Sequence, residues 1–318
     1  AITFVEDTGI VVTGETKSST FPVSTYAIQA THGGGTYDAF AVKVSPTTGA
    51  RAWATYMGGD GDDYGTASDQ RISGSPLLFT GYTNSSGGSM SSLVGGTGTT
   101  TTPNGNFDIY VIDLNENNGY WNWGTFLGTG NADYAFDIVE HESGGAYHVV
   151  GSTHNGIDLD VYFWDLTPTA GGLSATASYT YGGTGDQEAY GGAEIASDFM
   201  LVGYTTAGTF SPSNSVNQAY NTGDDGFVLR LDGSNSFSLE DANYTGGDGN
   251  DYLHAVETKS MSGTVGNKFV AVGYSDDDLD IFYQDAAYFD DFTCAAPQNA
   301  GIVIAGDLDL DEVWGNFM

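Results

Sequence analysis

The residues best suited to chemistry in this chain are aspartates crowded into glycine-rich turns. Asp60, Asp62 and Asp63 lie in Gly58–Asp63 (GGDGDD), and Asp248 and Asp251 lie in Gly246–Asp251 (GGDGND). A third acidic run carries Asp276, Asp278 and Asp280, and a fourth Asp307, Asp309 and Asp311. Calcium takes six to eight oxygen ligands, and glycine lets backbone carbonyls turn inward, so Asp60, Asp62, Asp63, Asp248, Asp251, Asp276, Asp278 and Asp280 are the candidate ligands for Ca²⁺. The competing reading is that these side chains close turns by accepting hydrogen bonds from nearby amides. Recurrence along the chain favours turn closure, since a structural role must repeat and a binding site need not. No cluster matches the EF-hand loop.

Other chemistry finds less support. The histidines are His32, His141, His148, His154 and His254, and no pair has zinc-ligand spacing. His141 and His148 fall on successive strands and can approach each other. There is no G-x-S-x-G elbow, and Cys294, the single cysteine, has no histidine near it and no partner for a disulfide. Glycosidase chemistry needs two facing carboxylates, and the sequence singles out no pair. Trp53 and Trp123 recur near the fourth strand of their units, which suits packing better than stacking on sugars. Asn84-Ser85-Ser86 and Asn243-Tyr244-Thr245 are glycosylation sequons.

The elements that position the acidic turns repeat. An apolar run ending in glycine occurs six times, at Gly14, Gly81, Gly151, Gly203, Gly273 and Gly306. Each is followed by an Asp that opens another apolar run: Asp38, Asp108, Asp160, Asp225, Asp280 and Asp311. The runs are short and rich in Val, Ile, Phe and Tyr, with Gly, Asn, Asp and Ser between them, which is strand and turn chemistry. No 3.6-residue period is sustained, so almost no helix is expected. Six units in 318 residues average about 53 residues, near the ~40–50 of a four-stranded propeller blade. A lone four-stranded sheet cannot bury both faces, but a ring of them can.

These units resemble the SBBP (kelch-like) family of β-propeller repeats, whose pattern is Y-x-G-G-x-G-x-D-Y, V-x-G-x-T, F-P and D-x-F-V. The matching stretches are YMGGDGDDY at Tyr56–Tyr64, VVTGETKSSTFP at Val11–Pro22 and YDAFAVKV at Tyr37–Val44. The family name implies seven blades, whereas six units are counted here. The paired glycines that end the second strand in kelch repeats are absent. The resemblance implies a propeller and often a secreted or surface setting, and it implies no catalytic residue.

Seven Lys and Arg against 41 Asp and Glu give a formal charge of −34. Nucleic acid and anionic membrane surfaces are therefore disfavoured partners. With 40% hydrophobic residues the chain can still build a core, so the charge does not signal disorder. It reads as Ca²⁺ binding, as solubility in high salt, or as a plain solvated surface. No apolar stretch is long enough to span a membrane. The start at Ala1 without a signal-like segment reads as a processed, exported form or a trimmed chain.

The expected architecture is a single all-β domain over residues 1–318: a six-bladed propeller of four-stranded antiparallel blades. The blades are approximately 1–56, 57–126, 127–181, 182–244, 245–289 and 290–318, and the last lacks its outer strand. The long loops 15–37, 83–107 and 205–224 are expected to share one face with the Gly/Asp turns. Asp311, Val313, Trp314 and Phe317 would then line an open edge able to recruit another strand. The function read from this is a non-enzymatic extracellular or cell-surface structural protein that self-associates as a filament or surface layer. The alternatives are a Ca²⁺-dependent adhesion or glycan-binding module and, less favoured, a polysaccharide-active enzyme.

Overall fold

A computed structural model describes residues 1–5, 9–70, 72, 74–87, 103, 106–142, 144–169, 172–211, 215–216, 220, 223–246, 249–260, 267–276, 300–307, 310 and 313–317. The chain is all-β. Among the described residues there is no α-helix, only a 3-10 turn at Gly233–Asn235.

The described strands form five consecutive sheets. The first contains β1 (Ile2–Val5), β2 (Gly9–Thr16), β3 (Asp38–Val44) and β4 (Arg51–Met57). The second contains β5 (Asp63–Asp69), β6 (Leu77–Thr83), β7 (Asp108–Leu114) and β8 (Trp121–Leu127). The third contains β9 (Asp133–Glu140), β10 (Tyr147–His154), β11 (Leu159–Thr169) and β12 (Gly172–Tyr181). The fourth contains β13 (Gln187–Ile195), β14 (Asp198–Thr205), β16 (Asp225–Asp232) and β17 (Ser238–Thr245). The fifth contains β18 (Asp251–Ser260), β19 (Asn267–Ser275), β20 (Ala300–Asp307) and β21 (Val313–Phe317). Each sheet meanders in chain order. The fourth adds a two-residue strand, β15 (Ser215–Val216), parallel to β17.

The expectation of six units is corrected here. The run ending at Gly306 was expected to be the second strand of a sixth unit. It is β20, the third strand of the fifth sheet, with Gly306 opposite Phe269 of β19. Val313, Trp314 and Phe317 were expected in a third strand left as an open edge for want of a fourth. They lie in β21, the fourth strand, with Val313 opposite Gly306 and Phe317 opposite Ile302. The last described sheet therefore has its outer strand. Second and third strands are both short buried apolar runs, so composition does not separate them. The runs Ile281–Tyr283, Ala286–Phe289 and Phe292–Ala296, together with Asp280 and Asp311, lie outside the described residues.

By contact density the chain divides into two compact units. One is 1–156 with 163–178, the other 157–162 with 179–318. Within the first, sheets one and two pack face to face. Val5, Val11, Ala41, Trp53 and Met57 meet Leu77, Phe79, Tyr110, Ile112 and Phe126 in one apolar cluster. Within the second, Ile195, Met200 and Val228 of sheet four meet Leu253, Phe269, Ala271, Ile302 and Ile304 of sheet five. β7 is buried at every position, as a strand covered on both faces must be.

The recurrent strand glycine has a specific cause. In sheets two to five the first strand carries a bulge, with Thr66, Phe136, Tyr190 and His254 as the extra residues. The bulge presses the carbonyl oxygen of Tyr64, Tyr134, Glu188 or Tyr252 onto the facing glycine. A Cβ on Gly81, Gly151, Gly203 or Gly273 would overlap that oxygen. In sheet one β1 and β2 pair without a shift, and a Cβ on Gly14 would meet only the Phe40 ring at 3.2 Å.

Two long loops fold back over the outer edge of their own sheet. In the first, Ser24 N–H donates to Ala54 O (2.9 Å) and Tyr56 N–H to Gln29 O (3.3 Å). The Phe21 amide donates to the Tyr56 hydroxyl (2.9 Å), with the rings 5.4 Å apart. The fourth sheet repeats this device: Phe210 N–H donates to Tyr244 Oη (2.9 Å), and β15 pairs along β17. Phe21-Pro22 and its counterpart Phe210 are thus edge covers.

The glycine assignment predicts unequal costs. Gly81→Ala should destabilise the protein by about 1–3 kcal/mol or more through overpacking, and Gly14→Ala by less than about 1 kcal/mol. Denaturant unfolding of both variants measures this; equal losses would contradict the bulge account.

Candidate functional site

The acidic turns lie between sheets, and their geometry is built from two buried groups. One opens the first strand of the following sheet: Asp63, Asp133, Gln187 or Asp251. The other opens the third strand of the preceding sheet: Asp38, Asp108, Asp160 or Asp225. All but Asp160 are essentially inaccessible to solvent. At the third junction glutamine takes the place of the second acid.

A glycine separates each pair. A Cβ on Gly58 would strike the Asp38 carboxyl, and one on Gly182 the Asp160 carboxyl and the Gln187 amide. One on Gly128 would meet Asp133 and Asp108, and one on Gly246 would meet Asp251 and Asp225. This is why a glycine opens each turn: only a residue without a side chain fits beside these buried groups.

The turn is then stitched by backbone bonds. Asp63 N–H donates to Tyr37 O (2.8 Å), Asp133 N–H to Phe107 O (2.9 Å) and Asp251 N–H to Asp224 O (2.6 Å), each reaching into the preceding sheet. The residue just before the strand accepts from its own sheet. Asn84 N–H donates to Asp62 O (3.2 Å), His154 N–H to Ala132 O (2.8 Å), Thr206 N–H to Asp186 O (2.9 Å) and Asp276 N–H to Asn250 O (3.1 Å).

The side chains finish the closure. Asp63 accepts from Gly59 N–H (2.6 Å), from Ser85 Oγ (2.9 and 3.0 Å) and from the Thr83 hydroxyl. Asp38 accepts from Gly33 N–H (2.7 Å) and Gln29 Nε2 (3.0 Å), and His32 Nδ1 lies 3.3 Å from its Oδ1. Asp60 accepts from Gly87 N–H (2.8 Å) and Asp62 from the amides of Thr36 and Tyr37. Asp276 accepts from both the backbone and the side-chain nitrogen of Asn250 (2.7 and 2.9 Å).

The candidate ligands are therefore placed as follows. Asp60, Asp62 and Asp63 share one turn, but each is directed to a different set of amides and hydroxyls. Asp251 and Asp276 flank a second turn, Asp251 buried and Asp276 outside it. Asp248, Asp278, Asp280, Asp309 and Asp311 lie outside the described residues. Among the described residues no three His, Cys, Asp or Glu side chains converge on a common point as metal ligands would.

The same acids differ electrostatically. Burial pushes Asp63 up to about 6, against the bonds from Thr83, Gly59 and Ser85. Burial also raises Asp38 and Asp133. The Gly87 amide holds Asp60 below the usual carboxylate range, and the Asn250 amide does the same for Asp276. The turns thus combine acids that backbone amides hold ionised with buried acids that hold their protons more tightly than a free carboxyl.

Beside the turns run half-buried aromatic rows. Tyr37, Tyr64, Tyr82, Phe107 and Tyr134 follow one another with centroids 4.7–5.6 Å apart, and Lys17 Nζ caps the row 4.5 Å from the Tyr37 ring. Tyr190, Tyr204, Tyr252 and Tyr274 form a second row. Trp53 is buried and donates to Glu116 O (2.9 Å), and Trp123 is almost fully buried, so both pack. His148 is buried, which pushes it down to about 3, and its ring lies 6.2 Å from that of His141. Asn243 of the second sequon is buried, and Asn84 of the first accepts the Asp62 amide.

The buried pairing was the part sequence reasoning missed. Asp38, Asp108, Asp160 and Asp225 were legible as strand openers. Each stands 20 to 22 residues before the glycine that opens the next turn, Gly58, Gly128, Gly182 or Gly246, and that recurrent spacing was the signal that they lie beside the buried Asp or Gln beyond it.

No family model matches the chain, and no curated protein matches it. Solved structures do. The chain is similar to Kuenenia stuttgartiensis hydrazine synthase at 9% identity and TM-score 0.42, over 89% of this chain and 62% of that one. It thus spans less than two thirds of that protein's length. It is also similar to Chaetomium thermophilum Sqt1 in two structures. One has 10% identity and TM-score 0.35 over 96% of this chain and 81% of that one; the other has 11% and 0.34 over 96% and 80%.

A pH dependence follows from the buried acids. A carboxyl whose folded pKa lies above its unfolded value of ~3.9 holds its proton more tightly when folded, so stability rises as pH falls through the folded value. Between about pH 7.5 and pH 5, Asp63 alone should add about 1 kcal/mol, with Asp38 and Asp133 acting in the same direction. His148, which burial holds neutral, acts in the opposite direction below about pH 6.5, so the carboxyl contribution is read as a difference between variants. Relative to Asp63→Asn, wild type should gain melting temperature toward pH 5; a difference that stays constant or shrinks over the interval would show the Asp63 carboxyl to be ionised and stabilised in the fold.

Proposed function

We propose that this chain is a non-enzymatic extracellular structural subunit, a β-propeller with the four-stranded sheets as blades, whose copies associate through open sheet edges. The observation that carries the reading is β12. Among the described residues it is the outermost strand of the third sheet. Ala175, Thr176, Ser178 and Thr180 are exposed along it. Its sequence, GLSATASYTY, contains no charged residue and no proline in a chain of formal charge −34. Edges of this kind recruit another strand, and proteins that avoid pairing put charge, proline or a covering loop there. β4 and β17 carry such covers from their own loops.

β8 and β21 are the outermost described strands of the second and fifth sheets, so the described edges are unlike one another. Pairing of unlike edges is a heterologous contact, and a heterologous contact that does not close produces a filament. The turn carboxylates are engaged in closing junctions, so the association drawn here does not depend on Ca²⁺. Like-charge repulsion opposes contact at low salt and is screened within ~3 Å at 1 M salt.

Sedimentation velocity and negative-stain microscopy test the proposal. Wild type should form concentration-dependent oligomers, more at about 1 M than at about 0.15 M NaCl, with or without EGTA. Thr176→Asp combined with Ser178→Asp should return it to monomer. A folded monomer under all of these conditions would reject the reading, and association lost on chelation would favour the Ca²⁺-dependent alternative.

A further inference from the structure

Packed sheets meet through unlike faces. Sheet one turns Val11 and Ala41 toward Leu77, Phe79, Tyr110 and Ile112 of sheet two. Sheet four turns Met200, Val202 and Val228 toward Phe269, Ala271, Ile302 and Ile304 of sheet five. The glycine of the second strand gives both pairs one register. Phe269 and Ala271 stand four and two residues before Gly273, as Leu77 and Phe79 stand before Gly81. Met200 stands three residues before Gly203, as Val11 stands before Gly14. In each pair the earlier sheet uses one face and the later sheet the other.

Two such faces are open. On sheet one, Ile10 and Val12 stand four and two residues before Gly14, the register of the receiving face, and Phe4 and Ile2 of β1 lie opposite them. Ile2 is 76% exposed and Phe4 68%. Ser68 in sheet two and Val256 and Thr258 in sheet five hold the matching positions, and all three are buried. On sheet five, Val270 and Val272 stand in the register of Val11 and Thr13. They are 44% and 37% exposed, whereas Val11 and Thr13 are buried.

Apolar side chains exposed side by side mark an interaction surface. The chain shows twice what covers a face of this kind: the opposite face of another sheet of the same repeat. A second copy supplies that face. Charge does not oppose the match. Ile2, Phe4, Ile10 and Val12 carry none, and on sheet five Lys259 and Lys268 balance Glu257 and Asp307 in register with Val270. In a chain of formal charge −34 these are surfaces where copies repel little.

We propose that the Val270–Val272 face of sheet five docks on the Ile2–Phe4 face of sheet one in a second copy, as sheet one docks on sheet two. The outer part of the sheet-one face is already covered by Phe21, whose ring lies 4.9 Å from that of Phe40 and 5.4 Å from that of Tyr56. Copies therefore share less area than packed sheets of one chain, and the contact falls in the weak class that forms at high concentration. It joins faces, and it does not rest on the edge pairing proposed above.

Cross-linking tests it in the edge variant Thr176→Asp, Ser178→Asp, with Cys294→Ser added and the protein at about 0.5 mM, where weak contacts populate. One preparation carries Phe4→Cys and the other Val270→Cys. They are mixed with a bismaleimide of about 8–10 Å reach, matching the ~10 Å between packed sheets. By mass spectrometry the mixed dimer should exceed each like-with-like dimer about tenfold, and Val12→Lys in the first preparation should remove the excess. Ile2→Cys with Val272→Cys repeats the test if either protein fails to fold. No dimer, or a mixed dimer at no more than its statistical share, would overturn the proposal. The edges are blocked in both preparations, so the outcome is separate from that of the edge-pairing test.

Discussion

The structure depends on a carboxyl, or once a carboxamide, buried at the head of each sheet's first strand from the second sheet onward. Asp63 shows why. It lies out of solvent and gathers an amide from its own turn and two hydroxyls from the strand and loop beside it. Its own amide reaches back to Tyr37 in the sheet before. One residue thus ties a turn, its own sheet and the preceding sheet together. Gln187 performs the same task at the third junction without a charge, bonding Gly183, Thr184 and Gly185. That substitution indicates that the hydrogen-bonding pattern, rather than the charge, is what the junction requires.

The glycines follow from that tie. The second buried carboxyl, at the head of the preceding sheet's third strand, leaves no volume for a side chain at Gly58, Gly128, Gly182 or Gly246. Just past the tie, the first strand bulges and drives its carbonyl against the next strand, which is why Gly81, Gly151, Gly203 and Gly273 have no side chain either. The two glycine signatures that make the repeat visible are two steric consequences of one junction. In the first sheet β1 and β2 pair without a bulge, and there the glycine is relaxed.

That linkage explains what was legible in the sequence. Strand identity and the absence of long helices depend on neighbours close along the chain, so local residue types carry them. The bonds that Asp60 and Asp62 accept do not, because their donors, the amides of Gly87, Thr36 and Tyr37, lie 25 to 27 residues away. Counting sheets was harder. The run ending at Gly306 has the composition of a second strand, and only its pairing with β19 places it third. Nothing local distinguishes the two positions, because both are buried apolar strands. The return of Phe21 to Tyr56 and of Phe210 to Tyr244 spans more than thirty residues. Contacts at that separation leave no periodic trace, so the edge covers emerge only in three dimensions.

The acidity of the chain therefore has two components with opposite physics. Asp60 and Asp276, held ionised by backbone amides, contribute charge that keeps copies apart. Asp63 and Asp113 sit where ionisation is opposed by burial, so mild acid neutralises them first. In such a protein net charge and junction stability are coupled through the same pH interval. Acidification discharges carboxyls whose protons the fold already favours, and it lowers the repulsion between copies at the same time. Under the edge pairing proposed above, an uncharged strand such as β12 would gain from the lowered repulsion.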